Sequence, residues 1–349
     1  MFKRLKYLAT LLVLAQFFVL TFPVQSTYGL DTNDTADSFF ESGNSKFKLK
    51  DYRGAIQDYN KAIELDPNNE SAFYLRASAK DEIGDYKGAI QDYNKILELN
   101  PNSANIFYWI AGLKDDLGDY KGAIQDYNRA IEIDPNYNVA FNDRGIAKYD
   151  LKYYKGAIQD YNRAIEIDPN YDVAFYNRGI AKYDLKDYRG AIQDYNRAIE
   201  LNPKFADTFN NRGIVKDDLK DYRGAIQDYN KAIELDPNAV PFYNRGNAKY
   251  KLQDYRGAIQ DYIHSIELDP DTDAFYNRGN AKYKLQDYRG AIQDYNKGLE
   301  LNPKFAKAFG GRGLVKIYLG QKDDGCLDLS KAGELGNFSV YDLIKKLCN

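Results

Sequence analysis

The sequence predicts an all-α fold, a solenoid of about nine stacked helix hairpins closed by a short C-terminal helix, and three recurrences predict it. The string Asp-Tyr-Arg/Lys-Gly-Ala-Ile-Gln-Asp-Tyr begins at 51, 85, 119, 153, 187, 221, 254 and 287, with Tyr153 standing once for the leading Asp. Its period is 34 residues, then 33 in the last two steps. Each copy runs into an apolar-periodic stretch that stops at Asp-Pro or Asn-Pro, at Pro67, Pro101, Pro135, Pro169, Pro203, Pro237, Pro270 and Pro303. Proline at such a point ends a helix, because it lacks the N–H that the next turn needs. A second periodic stretch, such as Ala174 to Leu185, fills the interval before the next Asp-Tyr. Two helices per period form a hairpin, and one hairpin cannot cover its own apolar face, so neighbours must stack.

In chain order, residues 1–29 come first. Lys3, Arg4 and Lys6 precede an apolar run from Tyr7 to Phe22, followed by Pro23 and small or polar residues. That is the layout of a secretory signal. Cleavage is expected after Ser26, with Val24 and Ser26 as the small site residues, or after Gly29, and no Cys follows the run to accept a lipid. The alternative is an uncleaved anchor, for which the 16 residues of the run are marginal, since ~30 Å of hydrocarbon is spanned at ~1.5 Å per residue. Export to a periplasm or equivalent lumen, or secretion, is the expected location, with membrane attachment only through this segment. Residues 30–35 form a short linker.

The repeats then occupy 36–69, 70–103, 104–137, 138–171, 172–205, 206–239, 240–272, 273–305 and 306–339. In the fifth, Phe175, Gly179, Leu185, Tyr188, Ala191, Tyr195, Ala198 and Pro203 form a pattern that resembles the tetratricopeptide repeat family. The resemblance covers 36–339 and implies a right-handed α-solenoid whose first helices line a concave groove. Gly179 opposite Ala191 lets the two helix backbones of a hairpin approach closely, and Phe175, Tyr195 and Ile199 form the apolar stripe that the next repeat buries. The ninth repeat is degenerate: Gly325 replaces Ala, Asn337 replaces Pro and Lys322 replaces the turn tyrosine. Terminal repeats are commonly atypical. Residues 340–349 follow as a capping helix, with Leu343 and Leu347 on one side and Lys345 and Lys346 exposed.

Charge recurs with the repeat. Asp58, Asp92, Asp126, Asp160, Asp194, Asp228, Asp261, Asp294 and Asp328 hold one place on the second helix. On the first helix stand Arg76, Arg144, Arg178, Arg212, Arg245, Arg278 and Arg312, and all nine repeats carry Lys one turn later. The family usually has Leu and Tyr at these Arg and Lys places, so structural ion pairs are expected in exchange for apolar contact. Exposed pairs contribute ~0–1 kcal/mol, whereas removing one partner of a buried pair costs ~3–5 kcal/mol. The spacing leaves both open.

Chemistry in the usual sense finds no constellation. The net charge is −3, from 48 basic and 51 acidic residues, so nothing draws the chain to nucleic acid. With the single His264, no spaced Cys/His set, no phosphate-binding glycine motif and no nucleophile elbow, neither an enzyme nor a cofactor or metal is expected. Cys326 and Cys348 are equidistant from Asn337, in the turn between the last two helical stretches. Antiparallel flanking helices would bring them together as a disulfide, which export permits, the alternative being two buried thiols. Triplets at Asn33, Asn69 and Asn337 fit the glycosylation pattern and matter only in a eukaryotic secretory pathway.

The groove implied by the resemblance directs attention to the first helices. Asn177, Asn211, Asn244 and Asn277 recur immediately before Arg-Gly, with Asp143 one repeat earlier. Such an asparagine ladder can hydrogen-bond an extended peptide without demanding a sequence, since an amide both donates and accepts. The alternative is generic repeat residues facing water. Tyr149, Tyr183, Tyr250 and Tyr283 add aromatic surface, followed by Asp150, Asp184, Lys251 and Lys284. With Asp81-Glu82, Asp115-Asp116 and Asp217-Asp218, the groove is expected to run from acidic to basic along the chain. The carboxylate clamp of chaperone-binding relatives is matched at Asn247, Asn277 and Lys307, but Tyr243 and Gly311 stand where cations are needed, so the clamp is incomplete. Residues 242–262 and 275–295 are identical over 21 positions, so Asn280 repeats Asn247. The leading expectation is a non-catalytic scaffold or adaptor that binds an extended peptide or protein segment. The alternatives are a self-associating or membrane-anchored assembly factor and the recruiting subunit of an enzyme complex.

Overall fold

A computed structural model describes residues 35–348; the expected signal or anchor, almost all of the linker and the triplet at Asn33 lie outside them. Regular structure among the described residues is helical throughout. The helices follow in chain order as the first and second helices of nine repeats: α1 (Ala36–Lys48) and α2 (Tyr52–Leu65), α3 (Glu70–Glu82) and α4 (Tyr86–Leu99), α5 (Ala104–Asp116) and α6 (Tyr120–Ile133), α7 (Asn138–Asp150) and α8 (Tyr154–Ile167), α9 (Asp172–Asp184) and α10 (Tyr188–Leu201), α11 (Ala206–Asp218) and α12 (Tyr222–Leu235), α13 (Ala239–Lys251) and α14 (Tyr255–Leu268), α15 (Thr272–Lys284) and α16 (Tyr288–Leu301), and α17 (Ala306–Tyr318) and α18 (Lys322–Glu334). A 3₁₀ turn (Phe338–Val340) and α19 (Tyr341–Leu347) close the chain. None of the described helices is long and apolar enough to cross a membrane.

The described residues divide into two compact units, the first ending at Asp187 and the second beginning at Tyr188. Within each, a second helix packs on its own first helix and on the first helix of the next repeat. First helices also touch, α1 with α3, α5 with α7 and α7 with α9 in one unit, and α11 with α13, α13 with α15 and α15 with α17 in the other. The first helices of each unit therefore share one face.

The recurring string builds the hairpin turn. After the helix C-cap, Lys50, Gly84, Gly118, Lys152, Lys186, Lys220, Gln253, Gln286 and Gly320 adopt φ between 61° and 81°, the left-handed conformation that reverses the chain. The next Asp caps the second helix: Asp51, Asp85, Asp119, Asp221, Asp254 and Asp287 each accept from a glycine N–H three residues on, at 2.9–3.0 Å. Glycine suits this place because a Cβ at Gly54 or its equivalents would overlap the capping carboxylate and push it off the cap. Tyr153 makes no such side-chain cap and is 71% exposed.

The close helix approach has a different cause from the one the sequence implies. A Cβ on Gly145, Gly213 or Gly279 would lie 2.6–2.7 Å from Cε1 of Tyr161, Tyr229 or Tyr295. The glycine therefore makes room for a tyrosine ring rather than for the small residue four positions earlier. Tyr59, Tyr161, Tyr229, Tyr262 and Tyr295 are all 0–1% exposed and form the centres of their hairpins. Phe175 and Ile199 are half-buried.

The ion pairs are buried. Arg76, Arg144, Arg212, Arg245, Arg278 and Arg312 each grip an Asp through Nε and Nη2, at 2.8–3.0 and 2.6–2.7 Å. A Lys one turn on reaches the same carboxylate at 2.7–2.8 Å. In most repeats Nη1 also donates to an Asn on the preceding second helix, as Arg245 does to Asn230 at 2.6 Å, so one guanidinium ties two repeats. Each guanidinium lies over the Phe three residues before it, 5.2–5.5 Å from the ring centre. Where Ile110 replaces Arg, Asp126 keeps only Lys114 at 2.6 Å, and burial holds its carboxyl above the usual range.

At the C-terminus, Val340 is 3% exposed against Leu329 and Ala332, with Leu343, Ile344 and Cys348 packed alongside. Cys326 and Cys348 form a disulfide with Cα atoms 5.8 Å apart. Lys345 and Lys346 are exposed and Leu343 and Leu347 half-buried.

Candidate functional site

The asparagine ladder is not a free surface, because neighbouring first helices lie close enough to consume it. Asn177 and Asn211 are 1% and 2% exposed. In the first unit Asn177 Nδ2 donates to Asn142 Oδ1 at 3.1 Å, Asn142 Nδ2 donates to Asp143 at 2.9 Å, and Tyr108 Oη donates to Asp143 at 2.7 Å. In the second unit Asn244 Nδ2 donates to Asn210 Oδ1 at 3.1 Å, and Asn277 Nδ2 donates to Tyr243 Oη at 3.0 Å. Asn177, Asn244 and Asn277 thus each bond the residue one place before the ladder in the preceding repeat. The ladder staples repeats together, and Asn177 and Asn211 cannot serve a ligand. Asn142, Asn210, Tyr108 and Tyr243 are the partners that sequence reasoning missed; their one visible signal is their fixed place beside the ladder.

The tyrosines divide between the units. Tyr149 on α7 donates its hydroxyl to Asp184 on α9, so it bridges repeats. Tyr183 is half-buried. On α3, Asp81 has its carboxyl pushed up to about 6, first by loss of hydration and then by Asp116 and Glu82. This folded value lies above the unfolded one, so the associated stability is complete below the unfolded value and is lost as pH rises through about 6. Carboxyl NMR titration should place the Asp81 midpoint near 6, and Asp116→Asn should lower it.

In the second unit several of the expected residues do come together. Asp217, Asn247, Tyr250, Lys251, Tyr262, Asn277 and Asn280 line a cavity of about 320 Å³. Tyr262 Oη donates to Asn247 Oδ1 at 2.8 Å, and Tyr295 Oη donates to Asn280 Oδ1 at 2.8 Å. Asn277 Nδ2 gives Asn247 Oδ1 a second bond at 3.1 Å. With their carbonyl oxygens occupied, the amides of Asn247 and Asn280 are held in orientation; the Asn247 amide also bonds the Tyr243 phenol, which leaves it one N–H to donate elsewhere beside the NH₂ group of Asn280. Burial, then Asp218, raise the Asp217 carboxyl, while Lys251 opposes them. Tyr250 packs on Tyr255, and Tyr283 meets Tyr288 and Tyr318, with ring centres 5.2–5.9 Å apart. Burial and a hydrogen bond with Tyr318 push Tyr283 up to about 12. Lys251 and Lys284 are exposed beside these rings. The described residues include no cluster of His, Cys, Asp or Glu placed to hold a metal. What the arrangement offers is a row of oriented donors, aromatic faces and charges.

Family models described as tetratricopeptide repeat match residues 70–103, 173–205, 206–239 and 272–305, and a TPR repeat model matches 43–80, 116–152, 147–186 and 246–286. Among solved structures, a tetratricopeptide repeat protein from Parabacteroides merdae ATCC 43184 is 19% identical, with a TM-score of 0.56 over 73% of this chain and 98% of that one. The APC/C hetero-tetramer Cut9–Hcn1 is 16% identical, with a TM-score of 0.54 over 92% of this chain and 78% of that one. MamA protein is 25% identical, with a TM-score of 0.46 over 50% of this chain and 94% of that one. No curated protein matches the sequence.

Proposed function

The chain belongs to the tetratricopeptide repeat family, and from that premise we propose that it is a non-catalytic scaffold or adaptor that binds an extended peptide or protein segment outside the cytosol. Such repeats generally serve as protein-interaction scaffolds. The observation that carries the reading is the pair of oriented amides, Asn247 and Asn280, on successive first helices at the cavity of the second unit. An extended peptide has carbonyl groups to accept from such donors, and preorganised donors lose little freedom when it binds. Location outside the cytosol rests on the basic-then-apolar segment at residues 1–29.

Affinity capture from the native compartment tests this. Asn247→Ala with Asn280→Ala removes two donors, each worth about 0.5–1.5 kcal/mol, so bound partner should fall by about tenfold. Equal recovery by the wild type and the variant would defeat the proposal.

A further inference from the structure

We infer that the groove of the second unit takes an extended acidic peptide segment, read in two identical steps by Asn247 with Lys251 and by Asn280 with Lys284. The inference rests on the groove reading above and adds the chemistry of the occupant. Three observations carry it.

First, the two steps are built alike. They fall within or beside stretches of identical sequence, and the same bond, Tyr262 to Asn247 and Tyr295 to Asn280, orients both amides. Donors fixed in this way call for acceptor oxygens.

Second, the cations beside them are held in no ion pair within the fold, although Lys251 acts on Asp217 across the cavity. Lys249 and Lys282 are tied to Asp261 and Asp294 at 2.8 Å, whereas Lys251 and Lys284 are exposed and form no ion pair among the described residues. In repeats four to six the corresponding places hold Ile146, Ile180 and Ile214 for the amide, and Asp150, Asp184 and Asp218 for the lysine, whereas repeat one has a single such step, Asn44 with Lys48, its amide bonded by Tyr59 at 3.0 Å. Repeats seven and eight thus replace the apolar and anionic lining of repeats four to six with a donating and cationic one, in two successive steps.

Third, the cavity ends on an anion. Asp217 lines it, with Asp218 adjacent, and its carboxyl is raised through loss of water and the second carboxylate. A continuous polyanion such as nucleic acid would meet these carboxylates. A peptide can instead place a basic residue at Asp217–Asp218 and acidic residues at Lys251 and Lys284. Packed helix axes lie about 8–10 Å apart, and three residues of extended chain span about 10 Å. The occupant therefore carries a basic residue followed, at every third position in either chain direction, by acidic ones. Tyr250 lines the cavity beside Lys251, and Tyr283 holds the same place in the next step.

The test uses the full chain and fluorescein-labelled synthetic peptides, Lys-Ser-Gly followed by repeated Glu-Ser-Gly, with Gln or Lys replacing every Glu in two control peptides. Fluorescence anisotropy should show the Glu peptide binding roughly tenfold more tightly than the Gln peptide, with the gap shrinking as salt rises. Lys251→Glu with Lys284→Glu should reverse the order, so that the Lys peptide binds best. These positions are exposed, so folding should be unaffected. Equal binding of the three peptides to the wild type, an order that charge reversal leaves unchanged, or tighter binding of a single-stranded oligonucleotide would overturn the acidic assignment while leaving a groove. Binding of no peptide would overturn the groove reading with it.

Discussion

Asp261→Ala is expected to destabilise the second unit by about 3–5 kcal/mol, because it leaves two buried cations without their anion. Asp261 is 1% exposed. It receives Arg245 Nε at 2.9 Å, Arg245 Nη2 at 2.6 Å and Lys249 Nζ at 2.8 Å, with the Arg and Lys side chains only 17% and 21% exposed. Alanine leaves both cations in that setting, and Arg245 still lies over Phe242 and donates to Asn230. Repeat stability is largely a sum of nearest-neighbour contributions, so the loss should be local. Urea unfolding with amide hydrogen exchange should show α12 to α14 opening first. A change below about 1 kcal/mol would mean that the pair behaves as an exposed one.

Tyr229→Ala is expected to cost about 3–5 kcal/mol by opening a cavity at the centre of a hairpin. The ring is 1% exposed and fills the space that Gly213 leaves on α11, where a Cβ would stand 2.6 Å from its Cε1. Alanine removes the ring while α11 and α12 remain held by Arg212 and Asp228, so the space cannot collapse fully. Tyr229→Phe preserves the ring and should cost less than about 1.5 kcal/mol. Thermal melts of the two variants separate the contributions, and equal melting temperatures would contradict the packing account.

Much of this molecule is legible in its repeat. The period located the hairpins, the prolines ended the second helices, and the Asp on one helix with Arg and Lys on the other announced an ion pair that the structure contains. Cys326 and Cys348 were predictable from their equal distance to the turn at Asn337. These features are local, set by the helical period or by symmetry about one turn. The tyrosine that requires Gly213 was less visible, because Ala225 also stands opposite the first helix and sequence spacing does not rank the two.

The site was legible only in part. Asn177, Asn211, Asn244 and Asn277 share a place in the repeat, yet the first pair is buried and all but Asn211 donate to the preceding repeat in a bond that the structure defines. Asn247 and Asn280 became the better candidates because phenols of the following helices orient them. The sequence alone determined that the chain is a stack of helix hairpins, where each turns and which charges face one another, since helix periodicity decides these within one repeat; it brought the two cysteines together only through their symmetry about one turn. Tertiary structure alone decided which polar groups are spent between repeats and which remain to donate. That depends on how closely successive first helices pack, a quantity set by side-chain volumes on two repeats at once and by no spacing within either.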